Sequence, residues 1–246
     1  MSKTYLQLVN KVLVNLREAQ VGDLSATYSQ LIGEFVNQAK ETVEDSWRWR
    51  ILTSELQFTT ITQQVKYYLD AAATSPSITL VQGNYPDERS YVLKDDNDNV
   101  QCFDTTQASS LVVYQLTQVA REDQIIAGYL AAARTTNIPY TFSYTMEGGR
   151  PQMYLLDPPP AGRVLNMRFV VPQPEFSLGT ETLLVPWRPV VSMATGLAMQ
   201  ERGEELGQSA DLYFARYNSE LIRAQELDRD GSYDQLQVDV PASGMW

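Results

Sequence analysis

Residues 140–171, YTFSYTMEGGRPQMYLLDPPPAGRVLNMRFVV, decide the fold class of the middle of the chain. Three apolar and β-branched stretches, at 140–146, 152–156 and 164–171, are separated by two turn sequences. The turns are Glu147-Gly148-Gly149-Arg150 and the Pro-rich run 157–162, and both favour tight chain reversals. The pattern predicts a three-stranded antiparallel meander.

The composition around the meander extends the same prediction to residues 51–186. This block is rich in Thr, Val, Tyr, Gln and Pro, with turn clusters at short intervals, which is typical of antiparallel strands. Further short strands are predicted at 91–94 and 100–103, joined by a polar turn. The Ala-rich segment 121–134 could form a helix, although Gly128 weakens that prediction.

Two amphipathic helices are predicted before this block, within residues 4–48. Ser2 or Thr4 can cap the first helix and Gly22 can end it. Thr27 and Gln30 fit a capping box for the second helix. Its apolar stripe comprises Tyr28, Leu31, Ile32, Phe35, Val36, Ala39, Val43 and Trp47, and its solvated face is predicted to carry Gln38, Glu41, Glu44 and Asp45.

Two more helices are predicted after the β block. Pro189 suits a first helical position, and Gly203 lies where the apolar stripe of that helix stops. The last helix has the cleanest stripe of the chain: Leu206, Ala210, Tyr213, Phe214, Tyr217 and Leu221. After Asp228 the stripe is lost.

The order of these blocks predicts an α+β protein. We expect residues 1–50 and 187–228 to form one four-helix bundle that makes a ring, because either pair alone would leave an apolar face in water. Residues 51–186 would be an inserted, sandwich-like β domain, and residues 229–246 an extended C-terminal tail.

Composition excludes several functional classes. Lys and Arg number 19 and Asp and Glu 30, a net charge of −11, which argues against a protein that binds DNA by neutralising phosphates. The chain has no His, which removes His-dependent catalysis and ligation, and its one Cys cannot form an internal disulfide. No apolar run approaches the roughly 18 residues of a membrane span. The opening MSKTYLQLVNKV does not resemble a signal peptide.

Two acidic motifs have side chains that could form a site. The run from Asp95 to Asn99 resembles half of a calcium loop, but Val100 and Thr106 stand where Gly and Glu are needed. Glu201, Glu204 and Glu205 could serve hydrolysis as a carboxylate pair does in glycosidases. A polar hairpin turn explains the first motif and a solvated acidic surface explains the second, so we expect no catalytic residue, metal or cofactor and no enzymatic activity.

Aromatic side chains and the tail suggest binding. Strand tyrosines (Tyr67, Tyr68, Tyr140, Tyr144 and Tyr154) fit either a half-buried sheet or a surface that stacks against sugars or proteins. In the tail, Leu236, Val238 and Val240 alternate with polar residues and Met245-Trp246 ends the chain. This pattern suits docking to a partner by strand addition or pocket insertion.

The layout resembles the head-to-tail adaptor proteins of tailed bacteriophages, including the tubular adaptors of short-tailed phages. The segments that carry the resemblance are 4–18 (TYLQLVNKVLVNLRE), 32–49 (IGEFVNQAKETVEDSWRW), 153–160 with 165–169 (MYLLDPPP and LNMRF) and 201–204 (ERGE). Residues 70–135 match nothing in that family.

The resemblance implies a structural protein of the virion, located at the head–tail junction and assembled in the host cytoplasm. Such adaptors form a ring, usually of twelve copies, beneath the portal protein. They extend the DNA channel and dock the next tail or nozzle component, and double-stranded DNA passes through without specific binding. Portal docking would fall to Leu236, Val238, Val240, Met245 and Trp246; ring-interface candidates are Trp47, Trp49, Trp187, Tyr213 and Tyr217.

The negative net charge of the chain agrees with a role in a DNA channel, because an acidic channel repels the duplex that passes through it. We expect acidic or neutral side chains along the bore; Arg48, Arg50 and Arg202 facing the axis would contradict this. The alternative function is a carbohydrate- or receptor-binding tail module that uses the Tyr-rich β domain. A third, a carboxylate enzyme, predicts pH-dependent hydrolysis that Glu204→Gln abolishes.

Overall fold

A computed structural model describes residues 2–73, 78–95, 100–106, 114–118, 141–155, 159–203 and 210–238, with side chains up to residue 229. The chain divides into two compact units. The helical unit comprises Met1–Ile51 and Gln173–Trp246, and the β unit comprises Leu52–Pro172. Residues 173–186, placed in the β block by the sequence-based boundaries, belong to the helical unit.

The first two helices of the helical unit are α1 (Tyr5–Asn15) and α2 (Thr27–Asp45). Thr4 caps α1, since its side chain accepts from the Gln7 amide while the Gln7 side chain accepts from the Thr4 amide. The capping box predicted at Thr27 is wrong. Helix α2 begins after Ala26 without a side-chain cap, and the Ser29 hydroxyl donates to the Ala26 carbonyl at 2.7 Å.

The other two helices of this unit are α3 (Trp187–Arg202) and α4 (Ala210–Val238). Gly203 ends α3 in the left-handed conformation at φ 62°, as predicted from its position. Helix α4 continues ten residues past Asp228, so the prediction of an extended chain over 229–238 is wrong. Residues 229–238 contain no Pro, and Gly231 alone does not break the helix.

The expected four-helix bundle is also wrong. Helix α3 is central and packs against α1, α2 and α4, whereas α4 packs chiefly against α3. A helix of 11 residues is about 16 Å long and one of 29 residues about 43 Å, so α1 cannot run the length of α4 in a closed bundle. Close packing of α3 and α4 depends on Gly196, where an added Cβ would lie 2.8 Å from Cε1 of Phe214.

An irregular segment, residues 173–186, packs against α2 and the start of α1. Asn37 accepts from the Phe176 amide (3.0 Å) and donates to its carbonyl (3.1 Å). Lys40 Nζ donates to the carbonyl oxygens of Gln173 (2.7 Å) and Pro174 (3.1 Å), and Glu44 accepts from the Gln173 amide. Glu44, predicted on the solvated face of α2, is therefore buried. It serves as a hydrogen-bond acceptor for backbone that no helix or strand satisfies.

The β unit contains two sheets. Its strands are β1 (Thr53–Thr59), β2 (Lys66–Tyr68), β3 (Ile78–Gln82), β4 (Tyr91–Val92), β5 (Cys102–Asp104), β6 (Tyr114–Gln115), β7 (Thr117–Gln118), β8 (Thr141–Glu147), β9 (Arg150–Leu155) and β10 (Val164–Val170). One sheet has the order β3-β1-β10-β5-β6, with β4 also pairing to β10, and the other has the order β2-β9-β8-β7.

The predicted meander is only partly correct. Strands β8 and β9 form the predicted hairpin around Gly148 and Gly149, both with positive φ. The third strand, β10, lies in the other sheet and pairs with β1 over its whole length, from Thr53↔Val170 to Thr59↔Val164. The chain therefore changes sheets between Leu155, the end of β9, and Val164, the start of β10.

A single apolar core joins the two sheets. Alternation in β1 buries Leu56 and Phe58, and Phe58 meets Tyr67 of β2 with ring centroids 5.1 Å apart. Tyr144 of β8 and Phe169 of β10 make a similar contact at 5.4 Å. The flanks of the run Asp95–Asn99 pair through a bridge between Lys94 and Val100, as a hairpin requires; residues 96–99 lie outside the described residues.

Candidate functional site

A cleft of about 670 Å³ opens in the helical unit, where residues of α1, α3 and α4 converge. Three hydrogen bonds of α1 side chains shape it. The Asn10 amide group pairs with the Val21 backbone (2.7 and 3.0 Å) and fixes the loop after α1, and Asn15 donates to Thr195 Oγ1 of α3 at 3.1 Å. The lining is mostly polar: Lys3, Gln7, Asn10, Lys11, Val14, Asn15, Gln20, Trp187, Arg188, Val191, Ser192, Arg216 and Glu220.

The cleft has the opposite charge to the unit that contains it. By sequence, the helical unit carries eleven Lys and Arg against eighteen Asp and Glu, a net charge of −7. The cleft carries four basic side chains against one carboxylate. Arg216 already pairs with that carboxylate, Glu220, at 3.1 Å. The other three basic side chains, Lys3, Lys11 and Arg188, form no ion pair with a carboxylate in the described part of the chain.

Trp187 forms the aromatic wall of the cleft. Lys11 Nζ lies 5.6 Å from the centre of its ring and Arg188 Cζ lies 5.7 Å from it. Both are cation–π distances, which leave the charged groups able to accept an anion. This predicted ring-interface candidate therefore lies in a surface with binding potential.

Of the other ring-interface candidates, Trp49 and Tyr213 are buried, and Trp47 and Tyr217 are half-buried as Trp187 is. Trp49 is 1% exposed and donates to the Val43 carbonyl at 2.7 Å, so it belongs to the core. Trp47 is half-buried and donates to Asp228 Oδ2 of α4 at 3.0 Å. Tyr213 is buried, and Tyr217 is half-buried with its pKa raised by burial. In the monomer these residues stabilise the helical unit.

Residue 238 is the last residue of the predicted tail that the structure describes. Leu236 and Val238 lie within helix α4, so they do not form a strand there. Val240, Met245 and Trp246 lie outside the described residues. Portal docking by these five residues stays a prediction. For Leu236 and Val238 it no longer has the support of an alternating strand pattern, because both lie in a helix.

A second surface of the helical unit was not found from the sequence. Leu212, Ile222 and Leu227 of α4 are 55%, 57% and 66% exposed. Leu212 and Ile222 share a line with Ala215 and Ser219, spaced three and four residues apart, on the side opposite the buried Tyr213. We call these four residues the outer stripe. Their spacing is the available sequence signal, but the stronger aromatic stripe of the same helix obscures it.

The strand tyrosines lie on two faces of the sheet that contains β2, β8 and β9. Tyr67 and Tyr144 contribute to the core, whereas Tyr68 and Tyr154 lie on the opposite face; Tyr140 lies outside the described residues. Lys66 Nζ lies 5.0 Å and 5.4 Å from the centres of the two outer rings, and Arg150 Cζ lies 4.2 Å from that of Tyr68. Cations occupy these ring faces, which weighs against stacking on a sugar.

The acidic motifs provide no assembled centre in the structure. Among the described residues, no group of three or more Cys, Asp or Glu side chains is arranged to hold a metal ion. Glu204 and Glu205 lie outside those residues. No helix within the described ranges is long and apolar enough to cross a membrane.

Comparison with known proteins identifies no relative. No family model matches the chain, and no curated protein is significantly similar to it. The helical unit therefore supplies the two surfaces that bear on function, the basic cleft and the exposed outer stripe of α4.

Proposed function

We propose that this chain is a head-to-tail adaptor of a tailed bacteriophage, a structural virion protein that forms a ring beneath the portal. The observation that carries the proposal is the presence of two unlike exposed surfaces on the helical unit, the basic cleft and the outer stripe of α4. The sequence resemblance to that family supplies the biological setting.

Ring formation requires this kind of surface pair. In a closed ring, one face of each subunit meets a different face of its neighbour. A subunit with one self-complementary patch forms a twofold dimer instead. The cleft is lined by residues of α1, α3 and α4, and the outer stripe adjoins it on α4, since Leu212 precedes Arg216 by one turn. The two surfaces differ in chemistry, as the two sides of a heterologous contact do.

The channel function follows from the charge of the chain. A net charge of −11 repeated around an axis produces a field that repels duplex DNA and leaves it mobile. In the assembled ring we propose the portal on one side and the next tail component on the other, at the head–tail junction of the virion. We expect acidic or neutral residues along the bore.

Electron microscopy and light scattering of the purified protein, with and without the portal, test the proposal. We expect ring-shaped particles, or assembly on the portal. The variant Leu212→Ser/Ile222→Ser should prevent assembly because it removes the apolar contact while leaving the buried face of α4 intact. A matched control, Val81→Ser/Leu178→Ser, changes two other exposed apolar residues and should assemble normally.

A chain that remains at 27.8 kDa in all these conditions would refute the adaptor function. Glycan binding by that single subunit would favour the alternative, a carbohydrate- or receptor-binding tail module. Substitution of Tyr68 and Tyr154 by Ala would then abolish glycan binding.

A further inference from the structure

We propose that the basic cleft binds the outer face of helix α2 from a second copy of this chain. This inference rests on the proposed function, because it names the contact that would join neighbouring subunits of the ring. It assigns a ligand of defined chemistry to the cleft: a helix that presents carboxylates at intervals of one turn.

The first step is the uncompensated charge of the cleft. Lys3, Lys11 and Arg188 bring three positive charges to one opening without a carboxylate partner among the described residues. Such charges are best satisfied by an anionic group that enters the cleft. Because the chain as a whole is strongly acidic, a second copy presents such groups at high density.

The second step is the pattern on the outer face of α2. Leu31, Glu34, Gln38, Glu41 and Asp45 follow one another at steps of three and four residues, so they share one face. Leu31, Glu34, Gln38 and Asp45 are exposed and Glu41 is half-buried. We call these five residues the acidic ridge. The opposite face of α2 is buried in its own unit, through Ile32, Val36, Ala39 and Val43.

The third step is the match between ridge and cleft. The three carboxylates of the ridge span about three helical turns, and the cleft carries three cations that have no carboxylate partner among the described residues. Leu31, 40% exposed at one end of the ridge, offers an apolar side chain for the indole of Trp187. The cleft volume of about 670 Å³ accommodates several projecting side chains.

The fourth step concerns assembly. The cleft and the ridge lie on different helices, so each copy can give its ridge to one neighbour and its cleft to the other. In this arrangement the ridge, and not the outer stripe of α4, meets the cleft, and the outer stripe is left for a contact with another component of the assembly. This is a heterologous contact, which propagates to a ring. Because the contact consists of charged groups, it should weaken as salt concentration rises.

A charge-swap experiment tests the contact. Lys11→Glu/Arg188→Glu makes the cleft acidic, and Glu34→Lys/Glu41→Lys makes the ridge basic. Each variant alone should need at least about tenfold more protein to assemble, because like charges then meet across the contact. An equal mixture of the two should assemble as the wild type does, since each acidic surface then meets a basic one.

A single chain with all four substitutions should also assemble. Arg48→Glu/Arg50→Glu carries the same charge change outside the cleft and should leave assembly unchanged. Circular dichroism and thermal unfolding of each variant establish that it is folded. Rescue by mixing also excludes misfolding as the cause of lost assembly.

The outcomes separate the inference from the proposed function. Failure of the wild type to assemble, with or without the portal, overturns both. Normal assembly of the wild type together with unchanged assembly of the cleft and ridge variants overturns the contact alone. Loss of assembly in both variants without rescue in the mixture also overturns it.

Discussion

The helical unit and the β unit each contain a buried ion pair, and the two pairs have different structural roles. In the β unit, Arg163 Nε donates to Asp104 Oδ2 at 2.6 Å and joins the end of β5 to the residue before β10. In the helical unit, Lys40 and Glu44 lie one turn apart on α2 at 3.4 Å and are both fully buried. Their partners there include the backbone of residues 173 and 174.

The difference reflects how each unit satisfies its backbone. Paired strands satisfy one another's amides and carbonyls, and the buried polar side chains of the β unit that bond backbone, such as Ser54, Thr60 and Asp104, bind single loop residues next to the strands. The helical unit encloses the irregular segment 173–186, whose Phe176, Leu183 and Val185 are buried. Asn37, Lys40 and Glu44 replace the missing strand partner, and the amides of Tyr5 and Leu6 donate to the carbonyls of Glu181 and Gly179.

The chain carries separate reporters for the two units. All four Trp residues fall within the sequence ranges of the helical unit, and the only Cys, Cys102, falls within the β unit. Cys102 is fully buried and its pKa is raised by burial, so a thiol reagent should react only after the β unit opens. Tryptophan fluorescence and Cys102 labelling can therefore be followed in the same urea titration.

The largest effect is expected for Lys40→Met. The substitution leaves the Glu44 carboxylate buried without its cation and leaves two backbone carbonyls without their donor. Breaking a buried pair in this way costs about 3–5 kcal/mol. The fluorescence transition should move to much lower urea.

Lys11→Met is the matched control, since it removes an exposed Lys from the cleft and should change the free energy of unfolding by less than about 0.5 kcal/mol. An equal shift of the Cys102 labelling transition in Lys40→Met would show that the two units unfold together. That result would contradict the view that the helical unit and the β unit are stabilised separately.

A smaller effect is expected for Gly33→Ala. A Cβ at this position in α2 would overlap Tyr5 Oη and lie 3.1 Å from Tyr5 Cζ. Tyr5 is buried against Phe176, with ring centroids 5.3 Å apart, and cannot move without disturbing the segment 173–186. Overpacking of this kind costs about 1–3 kcal/mol, visible as a lower urea midpoint in fluorescence.

Gly22→Ala provides the contrast, because a Cβ there meets no atom within 4 Å. It should leave stability unchanged or raise it by up to about 1 kcal/mol. If the two alanine variants were equally stable, α1 and α2 would not depend on the close approach at Gly33.

Sequence patterns predicted those parts of the fold in which local periodicity and burial agree. The hairpin of β8 and β9, the Thr4 cap and the end of α3 at Gly203 all follow from local residue chemistry. The position of β10 does not, because the strand pattern gives no information on which sheet a strand joins. The bundle prediction failed because apolar stripes do not encode helix length or the space that residues 173–186 occupy.

The candidate site shows the same limit. The sequence predicts Trp187 as a ring-interface residue, but it does not predict that Lys11 of α1, far away in the chain, lies over the Trp187 ring beside the neighbouring Arg188. The acidic ridge of α2 was visible in part, since Glu41 and Asp45 were assigned to its solvated face. Glu44 in the same run proved to be buried, because tertiary contacts with residue 173 override the pattern.

The smallest effect concerns the acid limit of the β unit. Arg150 holds Asp70 through two hydrogen bonds, one of them Nη2 to Oδ1 at 2.8 Å, and lowers the pKa of that carboxyl below its ordinary value of 3.8. A carboxyl whose pKa is lowered in the folded state stabilises the protein at pH values above its ordinary pKa. This stabilisation disappears as the pH falls through the lower pKa of the folded state. Arg150 is partly exposed, so solvent screening keeps this contribution small. Asp70→Asn keeps the shape of the side chain and the stacking of Arg150 on Tyr68, and it should lower the urea midpoint of Cys102 labelling at pH 7. Below pH 3.8 the difference from the wild type should shrink, because protonated Asp70 and Asn are then equally neutral. If the difference in urea midpoint between the variant and the wild type were the same at pH 7 and pH 3, the effect would come from packing. The ion pair between Asp70 and Arg150 would then not stabilise the β unit.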